Sequence, residues 1–74
     1  MMGNFIELDG KDYCVIDRVN YNSNYYLYVV RVEGNIKEFS ILKEKNENGN
    51  VFVESVKDEN IIKEVLSRVS IENI

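Results

Sequence analysis

The sequence predicts an α+β fold, in which a five-stranded antiparallel β-meander is followed by one C-terminal α-helix packed on a face of the sheet. Two observations predict it. Five segments rich in β-branched and aromatic residues alternate with short turn sequences. A sixth segment, at the C-terminal end, has its apolar residues at helical spacing instead. Because every connection is short, strands that are neighbours in the sequence are expected to pair. A small SH3-like or OB-like β-barrel is the alternative architecture.

Length and composition bound the classes of protein. Seventy-four residues are expected to form a single domain, 1–74. One cysteine and no histidine exclude an internal disulfide and an ordinary zinc site. The net charge of −4 argues against a nucleic-acid partner, and no apolar run approaches the roughly 20 residues of a membrane span. We also see no signal peptide at the start of the sequence and therefore expect a cytoplasmic protein.

The first hairpin is predicted from strands 5–8 and 11–19. Between them, Asp9 and Gly10 indicate a two-residue type I′ turn, because both positions need a positive φ. Alternate apolar residues of the second strand are expected to share the face that enters the core: Tyr13, Val15, Val19 and Tyr21.

The central strand is predicted over 25–32, after a turn segment at 20–24. Both of its faces are apolar apart from Arg31, which indicates a strand covered on two sides. Strands 36–43 and 51–56 follow, and Asn48–Gly49 is a second type I′ signal.

The helix is predicted over 59–69, with Asp58 as its N-cap. Its apolar residues recur at spacings that form one stripe: Ile62, Val65, Leu66 and Val69. One helix can cover one face of the sheet, and the sequence does not say which. The other face must either be buried by curling of the sheet or be covered by a second molecule.

The second of these solutions predicts a protein-binding patch on the central strand, formed by Tyr25, Leu27 and Val29. The predicted function is therefore a protein–protein interaction module whose partner is another protein or a second copy of the chain. The alternative is a small nucleic-acid-binding barrel with exposed tyrosines. It requires that five basic residues gather beside those tyrosines: Lys11, Arg18, Arg31, Lys37 and Lys43.

No catalytic, cofactor-binding or metal-binding residues are predicted, and we expect no enzyme activity and no cofactor. Cys14 lacks a histidine to activate it, so a small buried hydrophobic residue is the better interpretation. The segment 44–50 has oxygen side chains and a glycine spaced partly as in a calcium loop, but its flanks read as strands. A hairpin turn is therefore expected there.

The order of features resembles a known family. Phe5–Tyr13 with Val15 and Asp17, then Tyr25–Tyr26 and Phe39–Ile41, precede Asn48–Gly49 and the closing acidic-to-helix stretch. This order is similar to the small acidic bacterial family catalogued as domain of unknown function 1292. The resemblance covers most of the chain, and it implies no activity and no site residues.

Overall fold

The computed structural model describes residues 4–69, which form five strands and one helix. The strands are β1 Asn4–Leu8, β2 Lys11–Tyr21, β3 Asn24–Glu33, β4 Ile36–Glu47 and β5 Asn50–Ser55, and the helix is α1 Glu59–Leu66. All neighbouring strands pair antiparallel, and the strand order β1-β2-β3-β4-β5 follows the sequence. The predicted α+β meander with a C-terminal helix is confirmed.

Tight turns set the register of the meander. The Asp9–Gly10 turn has φ values of 55° and 77°, and the Asn48–Gly49 turn has 52° and 85°, so both type I′ predictions are confirmed. Between β2 and β3 the turn consists of only Asn22 and Ser23, with φ values of 56° and 68°. The flanking strands therefore extend further than the predicted 20–24 turn segment allowed.

β4 and α1 end three or more residues away from their predicted ends. β4 continues to Glu47 rather than 43, because it pairs with β5 up to the hairpin turn. α1 ends at Leu66 rather than 69. Beyond it the Arg68 amide donates to the carbonyl of Val65 at 2.9 Å, and the Val69 amide donates to that of Leu66 at 3.3 Å. These i→i+3 bonds tighten the chain and end the helix.

The inner face of the sheet is buried by the sheet itself. Val29 and Leu42 are fully buried there, and Leu27 is 7% exposed. Residues from β1, β2 and β5 pack against them: Ile6, Leu8, Tyr13, Val15 and Val53. Since the first and last strands contribute to one core, the sheet is curled into a nearly closed barrel, as the alternative architecture predicted.

The outer face of the sheet carries the helix. Val65 is fully buried against Val19, Tyr26 and Ile41. Asp58 caps the helix as predicted, because its carboxylate accepts a hydrogen bond from the Asn60 amide at 2.9 Å. The helix therefore covers the Tyr26 face of β3, and the barrel interior takes the opposite face.

A β-bulge in β2 corrects the predicted core face of that strand. Val15 lies opposite Val29 and Asp17 lies opposite Tyr28, so Ile16 is an extra residue without a partner. One extra residue reverses the alternation of side chains. Tyr13 and Val15 therefore point into the barrel, whereas Val19 and Tyr21 pack under the helix, and the four residues do not share a face.

Candidate protein-binding surface

The helix is too short to cover the outer face of the sheet. Eight residues of α-helix are about 12 Å long, whereas the ten residues of β3 extend over about 33 Å. Tyr26, under the helix, is 2% exposed, but Val32, on the same face at the far end of β3, is 60% exposed. Half of the outer face is therefore open to solvent.

Apolar residues line up across this open half. Phe5 lies opposite Cys14, Cys14 opposite Val30, and Val30 opposite Phe39. Residues directly opposite each other in an antiparallel ladder project from the same face. The four side chains therefore form a row across β1, β2, β3 and β4, which spans about 14 Å at the usual strand spacing.

The row leads into a groove between the sheet and the helix. Phe39 stacks on Tyr28 with ring centroids 5.7 Å apart and planes 13° apart. Ile62 and Leu66 of α1 form the facing wall, and the groove has a volume of about 340 Å³. Lys57 is the only residue with a charged side chain among those that line it. The row, the groove and Val32 on the same face together form one surface, which we call the outer apolar surface. Its main apolar side chains are Phe5, Cys14, Tyr28, Val30, Val32, Phe39 and Leu66.

The predicted patch of Tyr25, Leu27 and Val29 is not a continuous surface. Leu27 and Val29 lie in the barrel core, because the curled sheet covers their side of β3. Tyr25 is exposed near the end of the strand, where the guanidinium carbon of Arg18 lies 3.8 Å from its ring centroid. The sequence was consistent with burial of this face either by curling of the sheet or by a second molecule. In the structure, curling of the sheet buries Leu27 and Val29.

Cys14 differs from its predicted environment. Its side chain is only partly buried, and its cross-strand neighbours are Phe5 and Val30 of the outer apolar surface. The alternation of β2 correctly predicted that Cys14 and Val15 project from different faces of the sheet. Which of these faces the helix covers was not evident from the sequence. The thiol therefore lies in the row on the outer face, between Phe5 and Val30, rather than in a core.

The basic residues do not gather into one site. Arg18 donates two hydrogen bonds to the Glu44 carboxylate, at 2.8 and 3.1 Å, and Arg31 pairs with both Glu33 and Glu38. The hydrogen bond to Glu44 raises the pKa of Arg18, and the hydrogen bond to Glu33 raises that of Arg31. Both guanidinium groups are therefore matched by carboxylates of the chain itself.

The three lysines of that predicted set are also divided. Lys37 and Lys43 lie opposite Val32 and Tyr26, on the outer face, whereas Lys11 lies opposite Leu8, on the inner face. The tyrosines are split in the same way, since Tyr13 packs in the barrel core and Tyr26 under the helix. These positions do not form the basic, aromatic surface that the nucleic-acid alternative requires.

The segment 44–50, which partly resembles a calcium loop, is a β-hairpin turn. Residues 44–50 form the end of β4, the Asn48–Gly49 turn and the first residue of β5, as expected for a hairpin. Within residues 4–69, no group of three or more Asp, Glu, Cys or His side chains lies close enough together to hold a metal ion. The helix among these residues is neither long nor apolar enough to span a membrane.

A second opening lies where the barrel fails to close. β1 and β5 are the two edges of the sheet, and a cavity of about 460 Å³ separates them. We call it the β1–β5 cavity. It is lined by residues of all five strands, including the Arg18–Glu44 ion pair: Ile6, Glu7, Arg18, Leu27, Glu44, Val51 and Val53.

Comparisons with known proteins supply no relative. No family model matches the chain, and no curated protein or solved structure does either. The resemblance to domain of unknown function 1292 stays a prediction, and the function has to be inferred from the two surfaces of the molecule.

Proposed function

We propose that this chain is a cytoplasmic, non-catalytic interaction module that binds another protein through the outer apolar surface. One observation carries the proposal: an apolar row crosses four strands and ends in a groove, on the half of the sheet that α1 leaves open. Contiguous exposed apolar surface rimmed by polar residues is typical of protein-binding sites.

The size of this surface fits a protein partner. Four of its apolar side chains are well exposed: Phe5, Val32, Phe39 and Leu66. An aromatic side chain offers about 150–250 Å², so the exposed fractions of Phe5 and Phe39, 70% and 53%, amount to roughly 250 Å² of apolar area, to which Val32 and Leu66 add. A standard interface takes about 800 Å² from each partner, of which somewhat more than half is apolar. The two phenylalanines alone therefore supply about half of the apolar area that one side of such an interface needs.

The experiment compares two phenylalanines of equal exposure. Phe39 is 53% exposed in the groove, and Phe52 is 51% exposed on β5, outside the groove lining. The wild-type chain, Phe39→Ser and Phe52→Ser are each immobilised and used to capture proteins from the lysate of the cells that produce the chain. The proteins retained are quantified by mass spectrometry. Sedimentation over a concentration series tests whether a second copy is the partner.

We expect a partner that the wild type and Phe52→Ser retain and that Phe39→Ser loses. If the partner is a second copy, Phe39→Ser alone lowers the solution mass. Equal retention by all three chains, together with an unchanged monomer mass, contradicts the proposal. Specific retention that depends on Phe52 and not on Phe39 also contradicts it, because binding would then avoid the groove.

A further inference from the structure

The β1–β5 cavity exposes apolar side chains that belong to the inside of the barrel. Val53 lies opposite Glu44 and packs against the inner core, and Val51, two residues away in β5, shares its face. Val51 is nevertheless 60% exposed. The inner face is therefore covered by the sheet at Leu27 and Val29 of β3 but lacks a cover beside β5.

The backbone of β5 also lacks a neighbour on this side. The Val56 amide donates to the carbonyl of Ile41 at 3.0 Å, which makes these two residues a hydrogen-bonded pair of β4 and the end of β5. In an antiparallel ladder, alternate residues bond to the neighbour, and the residues between them point their N–H and C=O groups away. Val51 and Val53 therefore direct theirs toward the open edge, where no strand among residues 4–69 pairs with them.

The unpaired backbone groups along the open edge of β5 are suited to bind another extended chain. Unpaired N–H and C=O groups are a template for another extended chain, and lysine or proline commonly prevents such pairing. β5 contains neither residue. Ile6 and Glu7 of β1 line the far side of the cavity, so an added strand would lie between β5 and β1.

We propose that an extended segment of a partner protein pairs with β5 as a sixth strand and closes the barrel. Its N–H and C=O groups bond to those of Val51 and Val53, and its inward side chains, large and apolar, fill the β1–β5 cavity. Arg18 in the cavity lining is matched by Glu44, whereas no ion pair among residues 4–69 includes Glu7. The segment therefore carries a lysine or arginine that reaches Glu7.

A matched pair of substitutions tests the backbone pairing. Val51→Pro removes an N–H that points to the open edge and leaves the ladder with β4 intact, as proline on an edge strand can. Val51→Thr keeps the N–H and the branched shape. Random dodecamers displayed on phage are selected on the wild-type chain, and the recovered peptides are synthesised and titrated against the wild type and both variants.

The expected peptides have apolar residues at alternate positions and at least one basic residue. We expect Val51→Pro to weaken their binding about tenfold, which corresponds to one lost hydrogen bond, and Val51→Thr to change it by less than about threefold. On the wild-type chain, bound peptide should slow amide hydrogen exchange at Val51 and Val53. Phe52 should change little, because its amide already bonds to β4.

Three results overturn the proposal of a sixth strand. The first is that no peptide is recovered. The second is that a folded Val51→Pro binds as the wild type does, or that exchange at Val51 and Val53 is unchanged in the complex. The third is that the peptides lose affinity for Phe39→Ser rather than for Val51→Pro. That last result supports the outer apolar surface as the binding site, so the two proposals fail separately.

Discussion

Over residues 25–32, both faces of β3 are apolar apart from Arg31, but the molecule covers them in different ways. The inner face, with Leu27 and Val29, is closed off by curling of the sheet around it. The outer face depends on α1, which buries Tyr26 and leaves Val32 exposed. A sheet can curl around all of its own inner face, whereas a helix covers only its own length. The exposed apolar residues of the outer face therefore remain where the helix ends, whereas those of the inner face lie beside the gap between β1 and β5.

This difference makes the inner face the main source of stability and the outer face the place for binding. The largest expected effect comes from Leu42→Ala, because Leu42 is fully buried in the barrel core. We expect the free energy of unfolding to fall by about 3 kcal/mol in urea denaturation. Val32→Ala, on the open half of the outer face, should change it by less than about 0.5 kcal/mol. Equal losses would mean that the two halves of the sheet are covered alike.

The next effect is expected at the contact between helix and sheet. Val65→Ala should lower the free energy of unfolding by about 2 kcal/mol, because Val65 is the fully buried residue of α1. The neighbouring substitution Leu66→Ala serves as its control and should cost less than about 0.5 kcal/mol, since that side chain is exposed. If Leu66→Ala costs as much, the groove wall is packed more tightly than described above.

A smaller effect tests how the helix is held in place. Asp58→Ala removes the N-cap acceptor of the Asn60 amide, and we expect a loss of about 1 kcal/mol in thermal unfolding. Asp58→Asn retains an acceptor oxygen and should stay close to the wild type. A larger loss with Asn than with Ala would contradict the capping role.

The smallest difference concerns the two phenylalanines compared above. Phe39→Ser should cost about 0.5 kcal/mol more than Phe52→Ser, because only Phe39 stacks on Tyr28. Chemical denaturation of both variants measures it. Two folded variants of nearly equal stability would make a selective loss of binding in Phe39→Ser a direct effect of the groove.

Local signals in the sequence predicted most of the fold. The Asp9–Gly10 and Asn48–Gly49 turns and the continuous apolar run of β3 act over a few residues, and the structure has each of them. The bulge at Ile16 has no such signal, because an extra residue in a strand changes neither composition nor turn chemistry. Counting every second residue therefore misplaced half of the core residues of β2.

The candidate surface depended on information that the sequence alone does not contain. Phe39 was predicted within strand 36–43, but whether it lies inside or outside the barrel follows from the way the sheet curls and from the side that α1 takes. The length of the predicted helix was the one signal in the sequence that part of a sheet face would stay uncovered. A predicted helix of 59–69 spans about 16 Å, whereas the predicted strand 25–32 spans about 26 Å.

The strictly sequential strand order has a consequence for how the chain folds. Every ladder joins segments connected by a tight turn, so most contacts close short loops and a rapid folding rate is expected for a β-rich protein. The contact of Ile6 with the same core as Val53 is the exception, because it brings together opposite ends of the sheet. We expect it to form after the hairpins. Until then the inner face around Leu27 and Val29 is exposed in addition to the two sheet edges, and the chain passes through a stage in which it is most prone to associate with other molecules.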